Sequence, residues 1–147
     1  MNKLEGDAVL LYADLSKGED AVSLDVLRQV NSFFTVFRRK TSELTRDRAS
    51  CSCTACSNIG SLRLKAVLHA GSAVIRQIRG FTEIGGEDVI VVHRLLKNSV
   101  KLDEYLLMTD VFHKRIATRS AESGERSVEV DSVLGEIPVW VYPVAQN

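Results

Sequence analysis

Apolar residues recur at every third or fourth position along one stretch of the chain. Leu24, Leu27, Val30, Phe34, Phe37 and Leu44 fall on a single stripe, which predicts a long helix from about Glu19 to Arg46. Arg28, Arg38 and Arg39 lie off the stripe and read as its solvated side. Ahead of it, Lys3-Leu4 leads into the turn residues Glu5-Gly6-Asp7 and then the unbroken apolar run Ala8 to Ala13. That order predicts a hairpin whose second strand is buried in a sheet.

Beyond the helix the pattern breaks. Ala49 to Ser61 is rich in Ser, Cys, Thr, Asn and Gly and reads as a loop. Leu62 to Leu68 begins with strand-like alternation, and Ala73 to Ile78, across the turn signal Gly71, reads as its hairpin partner. Gly85-Gly86 precedes a helix from about Glu87 to Lys97, with Val89, Val92 and Leu96 facing one way and Asn98 ending it. Tyr105 to Met108 is a strand, and Thr109 or Asp110 caps a short helix through Ile116. After a polar loop, Ser120 to Glu125, two strands are expected near Val128–Val130 and Ile137–Tyr142. Pro138 and Pro143 suggest that the last strand is an edge or is broken. Helices covering a largely antiparallel sheet make an α+β arrangement.

Composition narrows the function classes. The 147 residues suffice for one domain with a core. A formal net charge of zero offers no general attraction to nucleic acid or to an anionic membrane, so neither is expected as a partner. Arg38-Arg39-Lys40 is local and reads as a solvated helix face. No apolar run reaches the length of a membrane span, and no apolar signal core follows Met1-Asn2-Lys3, so the expected location is the cytoplasm.

The three cysteines, Cys51, Cys53 and Cys56, sit within six positions. An odd count in a reducing compartment argues against a disulfide scaffold. Cys-x-Cys-x-x-Cys in a polar loop can place three thiolates on one zinc ion, with a fourth ligand from His69, His93, His113 or a partner chain. The same residues also read as plain reduced thiols, because a structural zinc site usually offers two separated pairs. His69 and His93 read as packed structural residues rather than ligands.

Lys3-Leu4-Glu5-Gly6-Asp7, Leu68-His69-Ala70-Gly71, Gly86-Glu87-Asp88-Val89 and Arg94-Leu95-Leu96, in that order and at those separations, resemble the class III adenylate and guanylate cyclase homology domain. The likeness runs from Lys3 towards the C-terminus. The Cys-Ser-Cys-Thr-Ala-Cys loop and the run Val92 to Val100 are closer still to a bacterial cyclase-like family, domain of unknown function 2652. The resemblance implies a ferredoxin-like, nucleotidyl cyclase-type fold and head-to-tail homodimers with purine nucleotide sites at the interface.

It also implies roles for particular residues. Asp7 matches one of two carboxylates that hold Mg or Mn in such cyclases, although Glu5-Gly6-Asp7 is equally well explained as a plain turn. Lys3 and Glu83 match a pair that reads the purine, or else are two surface charges worth little. Arg94 matches the arginine that stabilises charge on the α-phosphate. Three departures argue against turnover. The strand carrying the other metal carboxylate is missing before Lys3, so either the chain is a shortened form or its frame begins upstream. Ile90 stands where the family has Asn, and the loop Asp131 to Glu136 contains no Lys. Losing several groups that act together removes most of the rate. The expectation is therefore one domain over residues 1–147, a catalytically degenerate nucleotidyl cyclase-like domain. The alternatives are an active adenylate cyclase completed by a longer chain or partner, and a zinc- or redox-responsive module built on the cysteine loop.

Overall fold

The computed structural model describes residues 3–5, 7–116 and 124–144. A short hairpin, β1 (Lys3–Glu5) and β2 (Ala8–Leu10), precedes the long helix α1 (Glu19–Asp47). Then come α2 (Thr54–Ser57), β3 (Lys65–Leu68), β4 (Val74–Ile78), β5 (Phe81–Gly85) and α3 (Glu87–Leu95). The chain finishes through β6 (Tyr105–Thr109), α4 (Asp110–Ile116), β7 (Glu125–Asp131) and β8 (Gly135–Pro143). The fold is α+β.

Four strands form the main sheet in the order β3-β6-β8-β7. β6 pairs parallel with β3 and antiparallel with β8, and β8 pairs antiparallel with β7. All five residues of β6 are buried, because its side chains alternate between two apolar layers. Leu106 and Met108 point to the layer of Leu27, Val30 and Phe34 from α1 and Phe112 and Ile116 from α4. Tyr105 and Leu107 point to the layer of Leu95 from α3 and Val139 and Val141 from β8. A strand covered on both faces has no polar side, which is why Tyr105 to Met108 reads as a continuous apolar run.

Helix α1 buries Leu27, Val30 and Phe34 of the expected stripe, together with Ser23. Ser23 tolerates that position because its hydroxyl donates to Glu19 O at 2.6 Å. Leu44, at the far end of the stripe, is exposed. Glu19 and Asp20 lie in the first turn, where negative charge complements the helix dipole. Two buried carboxylates then tie loops to the core. Glu104 accepts from Arg38 Nε at 2.8 Å and from Leu64 N at 3.2 Å. Glu129 accepts from Ser99 N at 2.8 Å and Ser99 Oγ at 2.9 Å.

Several expectations change, the first being that Arg38 belongs to a solvated face: its side chain is largely covered and pairs with Glu104. The run Ala8 to Ala13 is not a buried strand: β2 ends at Leu10, and Val9, Leu11 and Tyr12 are exposed. The hairpin β1–β2 forms a sheet of its own. β4 is not the hairpin partner of β3; it pairs with β5 through the turn Arg79-Gly80, both residues at positive φ. In α3 the buried residue is Leu95, while Leu96 is exposed. Finally, β8 is an interior strand and β7 the edge. β8 accommodates its prolines at the limits of the β6 ladder: Pro143 forms the last pair, opposite Tyr105, and Pro138 lies one residue past Val139. Of the expected polar loop Ser120 to Glu125, residues 120–123 lie outside the described residues.

Candidate functional site

The cysteine loop hangs on the C-terminal end of α1. A ladder of turn hydrogen bonds fixes it: Arg48 N to Leu44 O at 3.0 Å, Cys51 N to Arg48 O at 2.9 Å and Ser57 N to Cys53 O at 3.1 Å. Asn58 N to Thr54 O at 3.2 Å and Leu62 N to Ile59 O at 3.2 Å continue it to the approach of β3. Cys53 caps α2 from an extended conformation, and its sulfur accepts from Cys56 N at 3.4 Å. Cys51 Sγ lies 3.4 Å from Cys53 Sγ. All three sulfurs lie within 4.8 Å of one another. Cys51 and Cys53 are exposed and Cys56 is half-buried, and all three are free thiols.

The arrangement separates the acidities of two of the thiols. The Cys56 amide, followed by the Cys56 and Cys51 side chains, holds the Cys53 thiol down at about 7. Hydrogen bonding to Cys53 and then Cys51 pushes the Cys56 thiol up to about 11. Cys53 therefore ionises before Cys56. A cluster of three cysteines in this geometry can bind a metal such as zinc. Among the described residues, no histidine joins the cluster. His69 and His113 are engaged elsewhere. His113 stacks on Trp140 with ring centroids 3.9 Å apart and shares a 2.7 Å hydrogen bond with Tyr142. Burial holds its imidazole below the usual histidine range.

The positions matched to cyclases are spread over three elements. Lys3 lies on β1 opposite Leu10, and Asp7 is exposed in the turn that follows. Glu83 is exposed at the centre of β5, opposite Arg76. It borders a shallow groove of about 680 Å³ that Val74, Ile78 and Phe81 also line. Arg94, on α3, places a guanidinium nitrogen 3.7 Å from Asp131 Oδ2. The amides of Leu134 and then Val133, with Arg94 adding its charge, keep the Asp131 carboxyl below the usual range. Ile90, one turn before Arg94, is 50% exposed.

One constellation escaped the sequence reading. His69 Nδ1 is 2.8 Å from Thr109 Oγ1, and His69 Nε2 is 2.9 Å from Asp88 Oδ1. Asp88 Oδ2 accepts from Ser72 N at 2.7 Å. Hydroxyl, imidazole and carboxylate in that order have the form of a nucleophilic relay. Thr109, however, is only 2% exposed, so its hydroxyl meets no substrate. The group instead latches the ends of β3 and β6 to the first turn of α3. The sequence carried a signal for it in Gly71, whose missing side chain leaves the room that Asp88 fills.

The pattern of one family, described as protein of unknown function (DUF2652), matches residues 1–105, which include the whole cysteine loop and α3. The chain belongs to the DUF2652 family. The chain is also similar to the uncharacterized protein Rv2561/Rv2562 of Mycobacterium tuberculosis (strain ATCC 25618 / H37Rv), 36% identical over 109 residues. That alignment covers 74% of this chain and 49% of the relative, so the chain spans about half the length of the relative it matches. No solved structure matches this DUF2652 chain. Among the described residues, no helix is long and apolar enough to cross a membrane.

Proposed function

We propose that the chain is a catalytically degenerate nucleotidyl cyclase-like domain, a nucleotide-binding or regulatory module of ferredoxin-like type acting in the cytoplasm. The observation that carries this reading lies on α3. Arg94 faces Asp131 of its own chain, and the position one turn earlier offers solvent the alkyl group of Ile90. An alkyl group cannot hydrogen-bond a ribose, and an arginine paired to a carboxylate must leave it to meet a phosphate. The Asp131 to Glu136 turn supplies no lysine. In this reading Lys3 and Glu83 hold a purine edge, Asp7 holds Mg or Mn, and Arg94 is the remnant of the transition-state arginine.

The test is incubation of the purified chain with ATP or GTP and manganese. The expected result is no cyclic product. Turnover that survives purification and disappears in Asp7→Ala overturns the reading.

A second reading, an active adenylate cyclase completed by a longer chain or a partner, is favoured by the hairpin β1–β2. It pairs with no other strand among the described residues and leaves Val9, Leu11 and Tyr12 exposed. A two-stranded ribbon is marginal alone, and an open apolar edge invites another strand. In both readings the domain pairs as a homodimer, and zero net charge offers little repulsion to pairing. Light scattering at micromolar concentration is expected to show a dimer. A stable monomer with the Val9 and Leu10 amides protected from exchange removes this support.

A further inference from the structure

We propose that Cys51, Cys53 and Cys56 form a three-thiolate site for a thiophilic divalent ion such as zinc, with the fourth coordination position open to a small sulfur, nitrogen or oxygen ligand. The site is independent of the cyclase-like reading, which rests on α3 and the two hairpins.

The geometry is close to what the ion requires. Tetrahedral zinc with Zn–S bonds near 2.3 Å sets sulfurs about 3.8 Å apart. Here one pair is at 3.4 Å and all three sulfurs fall within 4.8 Å. The adjustment lies within reach of side-chain rotation. The backbone need not move, since turn hydrogen bonds hold it from Arg48 through Leu62. The site is thus formed before the metal arrives, and little ordering entropy opposes binding. The Cys56 amide already donates to Cys53 Sγ at 3.4 Å. Such a bond strengthens when the sulfur becomes a metal-bound thiolate, and orienting partners of this kind tune metal sites.

Ligand identity selects the ion. Three sulfurs suit zinc, or other soft ions, and do not suit Mg or Mn, which take oxygen ligands. The spacing also explains why no second cysteine pair is needed to gather the three donors. A two-residue step from Cys51 to Cys53 and a three-residue step across α2 to Cys56 bring them to one side of the loop.

The fourth position is open because of where the loop lies. Cys51 and Cys53 are exposed, and among the described residues no His, Asp or Glu completes the set. Closed zinc sites use four protein ligands, whereas three protein ligands leave a place for an exchangeable one. Three thiolates around one divalent ion give a site of net charge −1, and each sulfur still protonated when the ion arrives releases its proton to the buffer.

The experiment titrates the full reduced chain with Co(II) and then Zn(II). One Co(II) per chain is expected, with sulfur-to-metal charge transfer in the near ultraviolet and tetrahedral visible bands. Zn(II) should displace it. Adding imidazole or a small thiol should shift the visible bands as it enters the fourth position. Cys51→Ser, Cys53→Ser and Cys56→Ser should each weaken binding at least about tenfold, whereas Ser52→Ala, in the same loop, should not. Unchanged circular dichroism in each variant separates ligand loss from misfolding. Three thiols that remain fully reactive in excess zinc, or bands that persist in Cys53→Ser, overturn the proposal. One ion per two chains with no response to added ligand overturns the open position, since a second chain then fills it.

Discussion

A Cβ atom added to Gly71 would lie 2.2 Å from Cγ of Asp88. The two residues are seventeen positions apart, and the contact exists because β3 runs out beside the first turn of α3. Asp88 cannot swing away cheaply. His69 Nε2 holds one of its oxygens at 2.9 Å and Ser72 N the other at 2.7 Å. Gly71→Ala is therefore expected to destabilise the fold by about 1–3 kcal/mol, through overpacking and loss of charge-assisted hydrogen bonds. Urea denaturation should show a lower midpoint with an unchanged slope. A midpoint equal to that of the parent chain would mean that the latch contributes nothing.

The same carboxylate links stability to pH. The hydrogen bond from His69, followed by the Ser72 amide, lowers the Asp88 pKa from the ordinary 3.8. With the folded value below the unfolded one, the unfolded chain binds the proton first. The contribution is complete above about pH 4 and is lost as pH falls through the folded pKa. Asp88→Asn should be less stable than the parent near pH 7, and the gap should narrow as pH falls below 4. Thermal melts at stepped pH measure it. A gap independent of pH would show that the charge of Asp88 is irrelevant.

Glu104 is buried, 4% exposed in its side chain, and its partner Arg38 is 28% exposed. Removing the carboxylate takes the acceptor from the Leu64 amide and the buried negative charge from beside Arg38. Glu104→Ala is expected to cost about 3 kcal/mol, the lower end for breaking a buried pair, because Arg38 keeps partial access to water. Denaturant titration checks it. Arg39→Ala is the control, since Arg39 is 71% exposed and its Glu43 partner lies 3.8 Å away. That change should fall within about 0.5 kcal/mol.

The legible parts of this fold were those whose signal is local. The stripe of Leu27, Val30 and Phe34 and the apolar run of β6 follow from a repeat within one element. The spacing of Cys51, Cys53 and Cys56 likewise contains the geometry of the loop, since six residues of chain hold it. Pairing was harder. β3 was matched to its neighbour in sequence, yet its partner is β6, about 40 residues on, and a parallel partner cannot be joined by a tight turn. β5 is marked in the sequence only by the turn residue Gly80, since Phe81-Thr82-Glu83-Ile84 does not alternate apolar and polar positions. The apolar run after Asp7 misled because apolar character does not say whether anything covers it. For Asp88 the sequence holds only half of the signal: Gly71 marks a place without a side chain, but that Asp88 fills it depends on β3 ending beside α3, which only the folded chain creates.

The place of β6 bears on how the molecule assembles. Its two ladders join it to β3, 40 residues behind it, and to β8, 30 to 38 residues ahead of it. Neither apolar layer is complete until both loops have closed, although α4, directly after β6, supplies Phe112 and Ile116 to the layer of Met108. Closing the loops is an entropic toll met before the core returns anything, which slows folding relative to a helical bundle whose contacts are local. The match to the family pattern ends at residue 105, at the first residue of that strand. A fragment cut there would retain the cysteine loop and α1 yet lose the strand around which both layers condense.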